Sequence, residues 1–191
     1  MSTWTAVVVD GRERDLRAFI AGFTGDRGVD PASVVLGDDV GLEAGTIGEW
    51  LLELIGTGHH VVLAPAVLAD ALAEAIEQRG DEVGLRVERS HPVEGVTFAF
   101  RVETFSREVA AAVRAALGAV PGVRVEDRQE REQVTPEGGR GVELYAPLHD
   151  YAYTLSGRVT GPVAAVLDVR RRLAEIESAS LEALHVTEQP V

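Results

Sequence analysis

Two hydrophobic patterns divide this chain, and the change between them at Val96 constrains its fold more than any other feature. Before that point, short apolar runs alternate with amphipathic segments. After it, Val96, Phe98, Phe100 and Val102 alternate strictly with Thr97, Ala99, Arg101 and Glu103. Continuous apolar runs mark strands buried on both faces, whereas strict alternation marks strands with one core face and one wet face.

In the first half, Thr5–Val9 reads as a buried strand that stops at Asp10-Gly11. Asp10 and Glu13 have capping-box spacing, and Leu16, Phe19, Ile20 and Phe23 fall on one helical face, so a helix is expected to about Phe23. Ser33–Leu36 reads as a second strand, Thr46-x-x-Glu49 opens a helix carrying Ile47, Trp50, Leu51, Leu54 and Ile55, and His60–Leu63 is a third strand. Pro65 opens a helix of Leu68, Leu72, Ala75 and Ile76 that Gly80 stops, and Val83–Glu88 completes the set. Strands alternating with helices predict right-handed crossovers, hence a small α/β layer with a mostly parallel sheet over residues 1–92.

In the second half, Ser106 caps a helix with Val109, Val113, Ala116 and Leu117 inward, and a strand from Val123 runs into the charged ribbon Glu126–Gln133. Val142–Ala146 and Tyr151–Val159 pair as strands, Gly161-Pro162 opens a helix with Val163, Val166, Leu167, Leu173 and Ile176 inward, and Leu184–Val186 is a last strand. The order βαββαβ predicts a ferredoxin-like α+β unit over residues 93–191. No internal repeat is visible, and Arg89–Gly95 lacks linker composition, so the halves are two units or one continuous domain.

Composition narrows the chemistry. With 191 residues, 46% of them hydrophobic, the chain buries a core without staples. It has no cysteine, lysine or asparagine, which removes disulfides, thiolate chemistry, Schiff bases, P-loop lysines and N-glycosylation. The formal charge is −13; residues 1–95 hold 17 acids against 7 arginines, and residues 96–191 hold 14 against 11. That balance repels phosphate backbones and anionic lipid, so neither nucleic acid nor membrane is an expected partner. Met1–Asp10 contains only the short apolar run Ala6–Val9, which suits neither a signal peptide nor a span, and cytoplasmic residence is expected.

Three constellations carry possible chemistry. Beyond the carboxyl ends of parallel strands, Asp10-Gly11-Arg12, Gly37-Asp38-Asp39 and Ala64-Pro65 would share one edge, where Asp10, Asp38 and Asp39 offer oxygen ligands of the kind that suits Mg²⁺. The same residues also read as a helix cap and an ordinary turn. The stretch Tyr145–Tyr153 contains every tyrosine in the protein around a His149-Asp150 pair, which makes Tyr145, His149, Asp150 and Tyr151 the expected lining of a small-ligand pocket. The competing reading is a strand and turn of strong β-propensity. His59 and His60 point to opposite faces of a strand and cannot easily share a metal, and no zinc spacing, nucleophile elbow or phosphate-binding fingerprint occurs.

These residues point to a small-ligand-binding or regulatory interaction module without cofactor. The alternative is a Mg²⁺-dependent phosphoryl-transfer enzyme or phosphohydrolase using Asp10, Asp38 and Asp39. The polar face of Thr97, Ala99, Arg101 and Glu103, with the Arg124–Glu132 ribbon beside it, is the expected contact of a homo-oligomer.

Overall fold

The computed structural model describes residues 3–42, 58–132 and 152–186. The chain divides into two compact units, Met1–Val96 with Ala183–Val191, and Thr97–Glu182.

The first unit contains β1 (Trp4–Asp10), α1 (Glu13–Arg27), β2 (Val35–Leu36), α2 (Gly37–Val40), β3 (His59–Pro65), α3 (Ala66–Arg79) and β4 (Arg86–Val93). Its sheet runs β2-β3-β1-β4, and every ladder is antiparallel. The expected mostly parallel layer is therefore corrected. Ala6, Val7, Val8 and Val9 of β1 and Val61, Val62, Leu63 and Ala64 of β3 are all at most 1% exposed. A strand with both faces withdrawn from water shows an unbroken apolar run whichever way its neighbours point, so hydrophobicity carried no information on direction. On the helical side, Leu16 and Phe23 of α1 and Leu72 and Ile76 of α3 join Val7, Val9, Val62 and Ala64 in one core.

Two further expectations change. The residue at the start of α1 is Arg12, in extended conformation and with no side-chain cap, so Asp10 does not cap this helix. The helix also continues past Phe23 to Arg27, where Gly28 in the left-handed region closes it and Val29 N–H donates to the Thr24 carbonyl at 3.0 Å. The helix expected from Thr46 lies outside the described residues, and β4 begins at Arg86 because Gly80–Val83 forms a 3-10 turn.

The second unit holds β5 (Val96–Thr104), α4 (Arg107–Gly118), β6 (Arg124–Glu132), β7 (Tyr153–Gly161), α5 (Val163–Ala174) and β8 (Ala179–Leu181), with β9 (His185–Val186) following in the closing segment. Its sheet order is β6-β7-β5-β8, with β6/β7 and β5/β8 antiparallel. The alternation on β5 is realised: Phe98, Phe100 and Val102 are buried while Arg101 is exposed. Ser106 caps α4 as expected, its Oγ accepting from Val109 N–H at 3.3 Å. Ser106→Ala is expected to lower stability by about 1 kcal/mol in urea denaturation, and a loss near zero would remove the cap from the account.

Both units thus share the order βαββαβ and the same strand arrangement, with α2 as an addition in the first. The ferredoxin-like reading holds for the second half, and the first half has it too. This repetition was invisible in the sequence because a fold requires only a hydrophobic pattern, and the two patterns differ: both faces of β1 are covered, whereas β5 has one open face.

Candidate functional site

A concavity among the described residues lies in the first unit, where β1 ends and α1 begins. It is an open depression of about 440 Å³ lined by Asp10, Gly11, Arg12, Asp15, Gly58, Val83 and Gly84. Three glycines make its shape. Gly11 has φ +149°, and a Cβ there would stand 2.5 Å from Leu85 Cδ2 and 2.9 Å from the Gly84 carbonyl oxygen. Only glycine suits that backbone and that approach. Its N–H donates to the Gly58 carbonyl at 2.9 Å, tying the β1–α1 turn to the start of β3. Gly58 itself has φ +79°, and a Cβ on it would lie 3.5 Å from Asp10 Oδ1.

Charges of both signs line this corner. The side chains of Asp10 and Arg12 make no hydrogen bond or ion pair among the described residues, whereas the Asp15 carboxylate accepts from Arg14 Nε at 3.3 Å. Because α1 lacks a side-chain cap, the free N–H groups of its first turn are left to a solvent molecule or ligand. Across the sheet, Asp10 stands in register between His59 on β3 and Arg86 on β4. His59 Nδ1 is buried with no hydrogen-bond partner among the described residues, an uncommon state for a polar atom.

The neighbouring carboxylates are occupied. Asp38 Oδ2 meets His60 Nδ1 at 2.9 Å. Arg17 grips Asp39 with two hydrogen bonds, of 3.1 and 2.6 Å, and donates through Nε to Glu13 at 2.8 Å. The bonds to Asp39, and then to Glu13, hold the guanidinium proton more firmly than usual. Among the described residues no group of three or more Asp, Glu or His side chains is placed to hold a metal ion, so Asp10, Asp38 and Asp39 are not brought into one set. The antiparallel sheet accounts for part of this. Ala64 and Pro65 pair with Thr5 and Trp4 at the far end of β1, not beside Asp10. His59 and His60 do diverge as alternation required, one in register with Asp10 and the other toward Asp38.

Tyr145, His149, Asp150 and Tyr151 lie outside the described residues. Tyr153 begins β7. Sequence reasoning placed Asp10, Gly11 and Arg12 on one edge and passed over Asp15, Gly58 and Gly84. The available signal was glycine at the ends of elements, Gly11 after β1, Gly58 before β3 and Gly84 before β4. No helix among the described residues is long and apolar enough to cross a membrane.

No family profile matches this chain. No curated protein matches it either. Among solved structures it is similar to an unknown protein from Galdieria sulphuraria, at 11% identity and TM-score 0.31 over 98% of this chain and 99% of that one. It is also similar to the ligand-free regulatory subunit of aspartate kinase from Thermus thermophilus, at 13% identity and TM-score 0.31 over 92% and 94%. A third is a candidate glycine cleavage system transcriptional repressor, at 7% identity and TM-score 0.31 over 97% and 98%. Likenesses at this level carry no argument about what the chain does.

Proposed function

We propose that this chain is a small-ligand-binding regulatory module, and that the corner between β1 and α1 takes a compact zwitterion. The observation that carries the reading is the pairing of an open, glycine-lined depression with two side chains of opposite charge, Asp10 and Arg12, that have no partner among the described residues. A ligand ammonium fits the Asp10 carboxylate, while Arg12 and the uncapped amides of α1 suit a ligand carboxylate. The volume, about 440 Å³, matches a small metabolite. Without lysine or cysteine, and with no nucleophile beside a base on these elements, the corner is built to hold a molecule rather than to transform one.

The test is a thermal-shift panel of α-amino acids, their decarboxylated amines and their deaminated acids. A zwitterion is expected to raise the midpoint, by an amount equivalent to about 2.7 kcal/mol at a hundredfold excess over its dissociation constant. Asp10→Asn and Arg12→Ala are each expected to abolish the shift. Indifference to every zwitterion would overturn the reading. Stabilisation by Mg²⁺ or Mn²⁺ that disappears in Asp10→Ala would favour the metal-dependent alternative. Tyr145, His149, Asp150 and Tyr151 remain proposed ligand contacts on their sequence pattern, and His149→Ala in the same assay separates a contact, which loses the shift, from a packing residue, which loses apo stability.

A further inference from the structure

Among the described residues the second sheet has one face without helices, and its charge runs against that of the chain. On β7, Leu155 and Val159 are buried toward the helices, so Thr154, Ser156, Arg158 and Thr160 point to the open side. Their register partners on β6, Arg131, Gln129, Glu126 and Arg124, share that side. Glu130, opposite Leu155, faces the other way and is gripped by Arg114 of α4, which confirms the assignment. Adding Thr97, Ala99, Arg101 and Glu103 of β5, the open face carries four arginines against two glutamates in a chain of net charge −13. Arg101 is paired with Glu103. Arg124, Arg131 and Arg158 have no ion pair or hydrogen bond among the described residues. Between these arginines the surface is small and hydroxylated, with Thr97 Oγ1 and Thr160 Oγ1 hydrogen-bonded at 2.8 Å.

The complement of this face is on α3 of the first unit. Asp70, Glu74 and Glu77 recur at helical spacing away from the buried Ala69, Leu72, Ala75 and Ile76, and Asp81 and Glu82 follow in the 3-10 turn that succeeds the helix. All five carboxylates are exposed. None is in an ion pair among the described residues, and their one hydrogen bond is from Gln78 to Glu74. Arg79, the cation in the last turn, lies over the Phe19 ring at 5.7 Å. At the head of the same helix Val67 is 84% exposed, the most exposed large apolar side chain among the described residues. Asp70–Arg79 of α3 spans about 14 Å, and the 3-10 turn carrying Asp81 and Glu82 continues the stripe beyond it. The seven residues Thr154–Thr160 of β7 span about 20 Å, so the acidic stripe, helix and turn together, and the arginine row are of similar length.

We infer that the open sheet face of the second unit docks the acidic face of α3 from a second copy of this chain. An α-helix laid on the bare face of a sheet completes a three-layer arrangement. Each copy carries one surface of each kind, so two copies that exchange them reciprocally form a closed pair. The contact is polar and therefore salt-dependent, because the Debye length falls from about 10 Å at 0.1 M to about 3 Å at 1 M salt. Charge complementarity of this kind sets orientation as well as affinity.

Sedimentation velocity on the full chain tests it. Self-association is expected at low ionic strength, with a dissociation constant that rises at least roughly tenfold near 1 M NaCl. The double substitution Arg124→Glu with Arg158→Glu is expected to yield monomer, and so is Glu74→Arg with Glu77→Arg. Mixing the two variants is expected to restore association, since each then offers the surface the other has lost. That restoration also shows that both variants are folded. A wild type that stays monomeric at every concentration and salt overturns the inference, as does association that neither charge reversal weakens, or two monomeric variants that fail to associate when mixed.

Discussion

Truncating Phe98 to alanine is expected to cost the second unit about 3–5 kcal/mol, the largest loss of any single side chain considered. Phe98 is fully buried on the inward side of β5. Arg170 of α5 lies over its ring at 5.2 Å and donates to the Glu182 carbonyl at 2.6 Å, beyond the end of β8. Burial of this guanidinium weakens its hold on a proton, and the ring face offsets part of that desolvation. Phe98→Ala removes both the ring's apolar volume and the support of this strap. All three tyrosines lie beyond residue 140 and both tryptophans before residue 60, so urea denaturation followed by tyrosine near-UV dichroism reports on this half of the chain. Arg101→Ala, outward on the same strand, is the control and is expected to cost less than about 0.5 kcal/mol. A Phe98→Ala loss under about 1 kcal/mol would show that the alternation on β5 does not define the core.

Gly37→Ala is expected to be nearly as damaging to the first unit, at the upper end of the roughly 1–3 kcal/mol typical of overpacking. A Cβ at Gly37 would stand 2.3 Å from the Leu42 carbonyl oxygen and 3.0 Å from that of Val61, both backbone atoms that cannot swing aside. Relief requires α2 to move, which breaks the 2.8 Å bond from Leu42 N–H to the Gly37 carbonyl and draws Asp38 from His60 and Asp39 from Arg17. Thermal denaturation of Gly37→Ala beside Asp39→Ala separates the contributions. The exposed Arg17–Asp39 pair alone is expected to contribute little, so equal losses in the two variants would show that backbone crowding at Gly37 contributes nothing.

Much of the local structure was legible. The strands Thr5–Val9 and His60–Leu63, the Ser106 cap and the α3 segment between Pro65 and Gly80 appear where pattern and punctuation placed them. These features depend on nearest neighbours along the chain, where side-chain period and cap chemistry act directly. The candidate corner was only half legible. Asp10, Gly11 and Arg12 were singled out, but their companions Gly58 and Gly84 arrive from other strands, and no spacing along the chain links them to Asp10.

What the sequence determined by itself is the alternation of strands and helices, the one-sided character of β5 and the chemistry that a chain without lysine or cysteine must forgo. Strand direction in the first unit, the repetition of one topology in both units and the meeting of three glycines around Asp10 were decided by tertiary structure alone. Hydrophobic pattern records how much of each residue leaves water, and an antiparallel strand covered on both faces leaves water as completely as a parallel one. Which neighbour covers it depends on the register of hydrogen bonds between distant segments, such as Asp10 opposite His59 and Trp4 opposite Pro65.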